Sequence, residues 1–181
     1  MYEKIGREIE DSVEAKKKLP KEDIVKAAEA LSEAIRCGKK ILLCGNGGSA
    51  ADCQHIAGEL VGRFRKNRGA LPAIALTTDT SVLTALTNDI GGDVIFSRQV
   101  EALGCEGDVL VAISTSGTSP NIIKAVEAAR RRKMKVVGFT GCRGQMLKDL
   151  SDVCVMVASD DTPRIQECHI TAAHIICGLV E

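Results

Sequence analysis

From Lys40 onward, short apolar runs alternate with stretches of helical periodicity, and this rhythm narrows the possible folds more than any other feature. Ile41–Cys44, Ala73–Leu76, Val109–Ile113, Val136–Phe139 and Val153–Val157 are apolar almost throughout and too short for helices, so they predict buried strands. Helical patterns fall between and after them, at about residues 48–63, 80–88, 93–103, 120–133, 144–150 and 163–180. Strand–helix alternation of this kind predicts an α/β fold, with a mostly parallel sheet covered on both faces and joined by right-handed crossovers. In such sheets ligands bind outside the carboxyl ends of the strands.

Two helical stripes precede the first strand. Ile5, Ile9 and Val13 stand four residues apart and their pattern stops near Leu19-Pro20; Ile24, Ala28, Leu31 and Ile35 form the second stripe, which ends at Gly38. Neither helix has a sheet of its own to cover, which predicts that one or both pack against another subunit. The 181 residues suit one domain, 1–181, with 1–38 as a helical pair used in oligomerisation.

Composition removes several classes of function. Lysine plus arginine (24) balance aspartate plus glutamate (24), so no net basic field draws the chain to nucleic acid or anionic lipid. Tyr2, Phe64, Phe96 and Phe139 are too scattered for a base-stacking platform. No run reaches the ~18 consecutive apolar residues of a membrane span. The eight cysteines include no Cys-x-x-Cys pair, and Met1–Lys18 is charged throughout, without the apolar stretch of an export signal. The expectation is a reduced, cytoplasmic protein whose cysteines act mainly as small apolar residues.

Two loops at predicted strand ends can carry chemistry. Gly45-Asn46-Gly47-Gly48-Ser49 leads into a helix that begins with Ala50 and Ala51. Its glycines permit close backbone approach, and the free N–H groups of the helix start favour an anion or polar oxygens. The loop lacks a nucleotide-binding lysine and dinucleotide spacing, so neither ATP nor NAD is supported, and a plain strand-to-helix turn is the competing reading. The second loop, Ser114-Thr115-Ser116-Gly117-Thr118-Ser119, places five hydroxyls before Pro120, with Ser119 as the predicted N-cap. Five hydroxyls exceed what capping needs and suit a phosphate monoester.

Two helices add ligating groups. His55 and Glu59 lie one turn apart on one face, about 6 Å along the axis. On the last helix Gln166 and His174 are offset by about 80° and can lean toward one cleft, whereas His169 sits about 140° from His174 and is expected to face elsewhere. Two imidazoles, a carboxylate and an amide oxygen suit zinc or a similar divalent ion, although an amide is an uncommon zinc ligand.

With these residues in place, the sequence resembles the sedoheptulose 7-phosphate isomerase (phosphoheptose isomerase) family within the sugar isomerase (SIS) fold. The resemblance covers nearly the whole chain and is carried by GNGGSAADCQHIAGELVGRF (45–64), TND (87–89), AISTSGTSPN (112–121) and RIQECHITAAH (164–174). It implies a five-stranded parallel sheet of flavodoxin-like type flanked by helices, a homotetramer with shared active sites, and one zinc ion per subunit. His55, Glu59, Gln166 and His174 match the family's zinc positions, and Glu59 and His174 its acid/base pair. Asn46, Gly47, Gly48, Ser49, Asn88, Asp89, Ser114, Thr115, Ser116 and Ser119, with Glu59 and Gln166, are the implied substrate contacts. The implied reaction converts sedoheptulose 7-phosphate to D-glycero-D-manno-heptose 7-phosphate for heptose biosynthesis. Two alternatives compete with it. A non-catalytic tetrameric SIS protein resembling the replication-initiator-associating protein would lack the full Glu59–His174 pair, and another sugar-phosphate isomerase would not be expected to carry this ligand pattern.

Overall fold

The computed structural model describes residues 1–181. Its elements run α1 (Tyr2–Lys17), α2 (Lys21–Arg36), β1 (Ile41–Gly45), α3 (Gly48–Val61), β2 (Ala73–Ala75), α4 (Thr80–Asp89), α5 (Ser97–Leu103), β3 (Val109–Ile113), α6 (Pro120–Arg131), β4 (Lys135–Gly141), α7 (Gln145–Leu150), β5 (Val153–Val157) and α8 (Thr162–Val180). All five strands pair in parallel in the order β2-β1-β3-β4-β5. This is the flavodoxin-like order, whose direction of winding reverses between β1 and β3.

Strand alternation divides the core in two. Ile41, Leu43, Val109, Val111, Val137, Phe139 and Val155 point to the face covered by α2, α3 and α8. Leu42, Cys44, Leu110, Ala112 and Val136 point to the face covered by α5, α6 and α7. The central strands β1 and β3 are buried at every residue, which is why they read as unbroken apolar runs.

The expectation that neither N-terminal helix covers a sheet is corrected for α2. Ile24, Ala27, Ala28, Leu31 and Ala34 are buried in the subunit's own core, because α2 folds back over the face that includes β5 and β3. By contrast, α1 buries no residue; it lies along α8, and Ile5, Ile9 and Val13 are 51%, 60% and 45% exposed. A smaller shift concerns α5, which starts at Ser97 instead of 93, because turns following Gly91 occupy residues 92–96.

At the amino-terminal end of the sheet, the Asp108 carboxylate accepts hydrogen bonds from Lys40 N (3.0 Å), Lys40 Nζ (2.6 Å) and Cys105 N (2.8 Å). Burial raises its pKa, but the Lys40 and Cys105 donors outweigh that and hold it below the usual carboxylate range. Asp108 therefore staples the starts of β1 and β3.

Candidate active site

The loops after β1 and β3 flank the point where the winding reverses, the position at which a sheet of this type opens a crevice. Across it, Asn46 and Asn121 exchange two amide hydrogen bonds: Asn46 Nδ2 donates to Asn121 Oδ1 at 2.9 Å, and Asn121 Nδ2 to Asn46 Oδ1 at 2.8 Å. Gly47, at φ 55°, turns the chain into α3. Gly48 leaves room for Gln166 of α8: a Cβ there would stand 2.6 Å from the Gln166 amide nitrogen. Ser49 is buried at the helix start.

The hydroxyl loop is organised around Ser114. Its Oγ lies 3.0 Å from Ser119 Oγ and 3.4 Å from Ser116 Oγ, and accepts from Gly117 N at 3.1 Å. Ser119 occupies the predicted N-cap position of α6 but makes no capping bond; its hydroxyl turns toward Ser114 instead. The first turn of α6 is thus left without a side-chain cap beside a cluster of hydroxyls, an arrangement suited to an anion. Gly117 has φ 68°, and a Cβ would fall 2.3 Å from Gly144 Cα, so the loop can close this tightly only with glycine.

Along α3 and α8 the ligating side chains meet. His55 Nε2 is 3.1 Å from Glu59 Oε1 and 3.3 Å from His174 Nε2. Together the three form a possible metal-binding group whose ligand atoms all lie within 4.8 Å of one another. Two facing imidazole nitrogens can share only one proton, whereas a cation satisfies both lone pairs. Two nitrogens held at Zn–N distances around a tetrahedral ion stand about 3.3 Å apart, so the donor set fits such an ion. Glu59 spends one carboxylate oxygen on His55 and makes no other side-chain hydrogen bond.

The other expected residues divide plainly. Gln166 lies on α8 two turns before His174 and makes no hydrogen bond to the three. Asn88 donates to Asp89 Oδ1 at 2.7 Å at the end of α4, and neither hydrogen-bonds another expected site residue. Thr115 contributes its carbonyl, which accepts from Gly141 N. His169 faces away, as its helical angle predicts: it is buried with its ring edge-on to Phe139, and neither nitrogen has a partner.

Sequence reasoning missed several residues around the group. Asp52, one turn before His55 on α3, has a buried carboxylate oxygen without a partner; burial raises its pKa, and the neighbouring His55 and His174 oppose that rise. The spacing of Asp52 from His55 was the available signal. Phe64 stacks on the His174 ring, centroids 5.5 Å apart and planes 17° from parallel, while His55 meets that ring edge-on at 4.9 Å.

The chain is similar to known proteins along nearly its whole length. Residues 5–141 match the family model described as SIS domain. The phosphoheptose isomerase of Roseiflexus sp. (strain RS-1) is 55% identical over 177 residues, covering 96% of this chain and 90% of that protein. Among solved structures, a phosphoheptose isomerase from Francisella tularensis superimposes with a TM-score of 0.94 at 40% identity. The phosphoheptose isomerase of Neisseria gonorrhoeae gives 0.91 at 47% identity; both comparisons cover 99% of this chain and 97% of the other.

Proposed function

The chain belongs to the phosphoheptose isomerase family of SIS-domain proteins, and from that premise we propose that it converts sedoheptulose 7-phosphate to D-glycero-D-manno-heptose 7-phosphate in heptose biosynthesis. The observation that carries this reading is the convergence of His55, Glu59 and His174 from α3 and α8, with α3 entered from the β1 loop whose Asn46 pairs with Asn121 just past the hydroxyl loop. The substrate is a small sugar phosphate.

In this reading Ser114, Thr115, Ser116 and Ser119 bind the phosphate at the amino terminus of α6. Asn46, Gly47, Gly48, Ser49, Asn88 and Asp89 contact the sugar hydroxyls. Anchoring the phosphate at one end of the sugar lets that distal binding hold the carbonyl end toward the acid/base pair. Glu59 takes the C1 proton of the ketose and His174 protonates the carbonyl oxygen at C2, giving an enediol. Return of a proton to C2 and loss of the O1 proton then yield the aldose. His55, Glu59 and His174, with Gln166 as a fourth donor, would hold one zinc ion per subunit. When bound, such an ion polarises the carbonyl as a Lewis acid. The Glu59 oxygen not engaged with His55 is the one available to the C1 proton.

We place the chain in the cytoplasm, with support from eight free cysteines. No helix is long and apolar enough to cross a membrane. The reading takes residues 1–181 as one SIS domain assembling into a homotetramer with shared sites, and the exposed stripe on α1 supports such contacts.

Incubating zinc-loaded protein with sedoheptulose 7-phosphate in deuterated water should give the aldose with deuterium at C2 by NMR. Glu59→Gln should lower turnover by about 100-fold or more while calorimetry still detects sugar-phosphate binding. No aldose from the wild type, or near-normal turnover in the variant, would overturn the assignment.

A further inference from the structure

The residues that orient His174 lie outside the ligating group. Phe64 stacks on its imidazole, and the segment carrying Phe64 is gripped from the end of α8. Glu181, the residue after α8, has a side chain only 1% exposed. Its Oε1 accepts from Phe64 N at 2.8 Å, and its Oε2 from Arg65 N and Lys66 N at 2.9 Å each. Three successive backbone donors thus converge on one carboxylate.

Arg68 ties this grip to α3. Its Nη2 donates to the Glu59 carbonyl at 2.9 Å and its Nη1 to the Leu60 carbonyl at 2.8 Å, two of the acceptors that a helix end leaves unpaired. Its Nε lies 3.2 Å from Glu181 Oε1, a charge contact without an aligned hydrogen bond. Burial works against the Glu181 charge, but the Lys66, Arg65 and Phe64 N–H groups and Arg68 prevail, holding its pKa down to about 2. On the far side, the Phe64 ring lies against Gly178 of α8, where a Cβ would make ordinary contact 3.4 Å from Phe64 Cε1.

We propose that Glu181 and Arg68 form a clamp joining the carboxyl ends of α3 and α8, and that Phe64, held by this clamp, is a positioning residue that fixes the His174 imidazole relative to His55 and Glu59. The ring is sandwiched between Phe64 on its face and His55 at its edge. A stacked aromatic limits ring rotation without occupying either nitrogen, leaving both free for ligation or proton transfer. The clamp's catalytic consequence rests on the isomerase reading, but the clamp itself does not.

The test uses the full-length protein with Glu181→Ala, Phe64→Leu and Phe64→Tyr. In the metal-free state, NMR of the imidazoles should show the His174 ring protons shifted upfield by Phe64. Glu181→Ala should move them to where Phe64→Leu puts them, and Phe64→Tyr should leave them in place. With zinc and sedoheptulose 7-phosphate, Glu181→Ala and Phe64→Leu should lower kcat about tenfold or more. KM should stay within about twofold, because the hydroxyl loop that holds the phosphate is untouched, and Phe64→Tyr should keep kcat near that of the wild type. Unchanged His174 signals in Glu181→Ala, or an unchanged kcat once they have moved, would overturn the proposal. If circular dichroism shows Glu181→Ala unfolded, Arg68→Lys keeps the charge but loses the forked hold on α3, and the same two readouts decide. The spectra involve no substrate, so they judge the clamp even if the wild type proves inactive on this sugar.

Discussion

Five residues apart on α8, His169 and His174 meet opposite surroundings, and those surroundings decide what each imidazole can do. His174 is half-buried with its Nε2 facing His55. His169 is 1% exposed, and burial pushes its pKa down to about 4. The folded protein therefore holds His169 neutral, while an unfolded chain would bind a proton near pH 6.5. Because the folded pKa is the lower one, this contribution is fully present above pH 6.5 and is lost as the pH falls from 6.5 toward 4, by about 3 kcal/mol in all. His169→Phe removes it. Urea unfolding of that variant should lose less stability than the wild type across this window, and parallel curves for the two proteins would contradict the account.

At the scale of elements, the five strands lie where the apolar runs put them, because strands buried on both faces have little other composition available. The same logic exposed the two loops, whose glycines and hydroxyls are local signals. What the sequence hid is long-range. The pairing of Gly48 with Gln166 and of His55 with His174 depends on how α8 lies beside α3, and helical angles bring such residues to a side without naming the neighbour. Glu181 was illegible for a similar reason: nothing local marks it until a loop more than a hundred positions earlier is wrapped onto it. That α2 covers its own sheet stayed hidden because an amphipathic helix does not reveal whether its own sheet or another subunit covers it. For α1 the apolar stripe remains uncovered within the subunit. Deleting residues 1–18 should therefore leave the sheet folded by circular dichroism while sedimentation shows a smaller assembly; an unchanged sedimentation coefficient would count against α1 as an interface.

Across the whole molecule, the candidate site and the staple occupy opposite ends of one sheet. Asn46, the hydroxyl loop and the His55 group follow the carboxyl ends of the strands, whereas Asp108 and Lys40 sit where β1 and β3 begin. Asp108→Ala should cost about 3 kcal/mol, since it strands a partly buried lysine and two backbone donors. At this chain length that lowers Tm by roughly 10 °C. The kcat measured well below the new Tm should stay within about twofold of the wild type, and a large loss there would mean that the two ends are coupled. The separation leaves room for improvement as well as damage. Further anchoring of the strand starts around Asp108 offers a route to a heat-tolerant biocatalyst, since the hardware there can be reinforced while the working mouth keeps its native freedom.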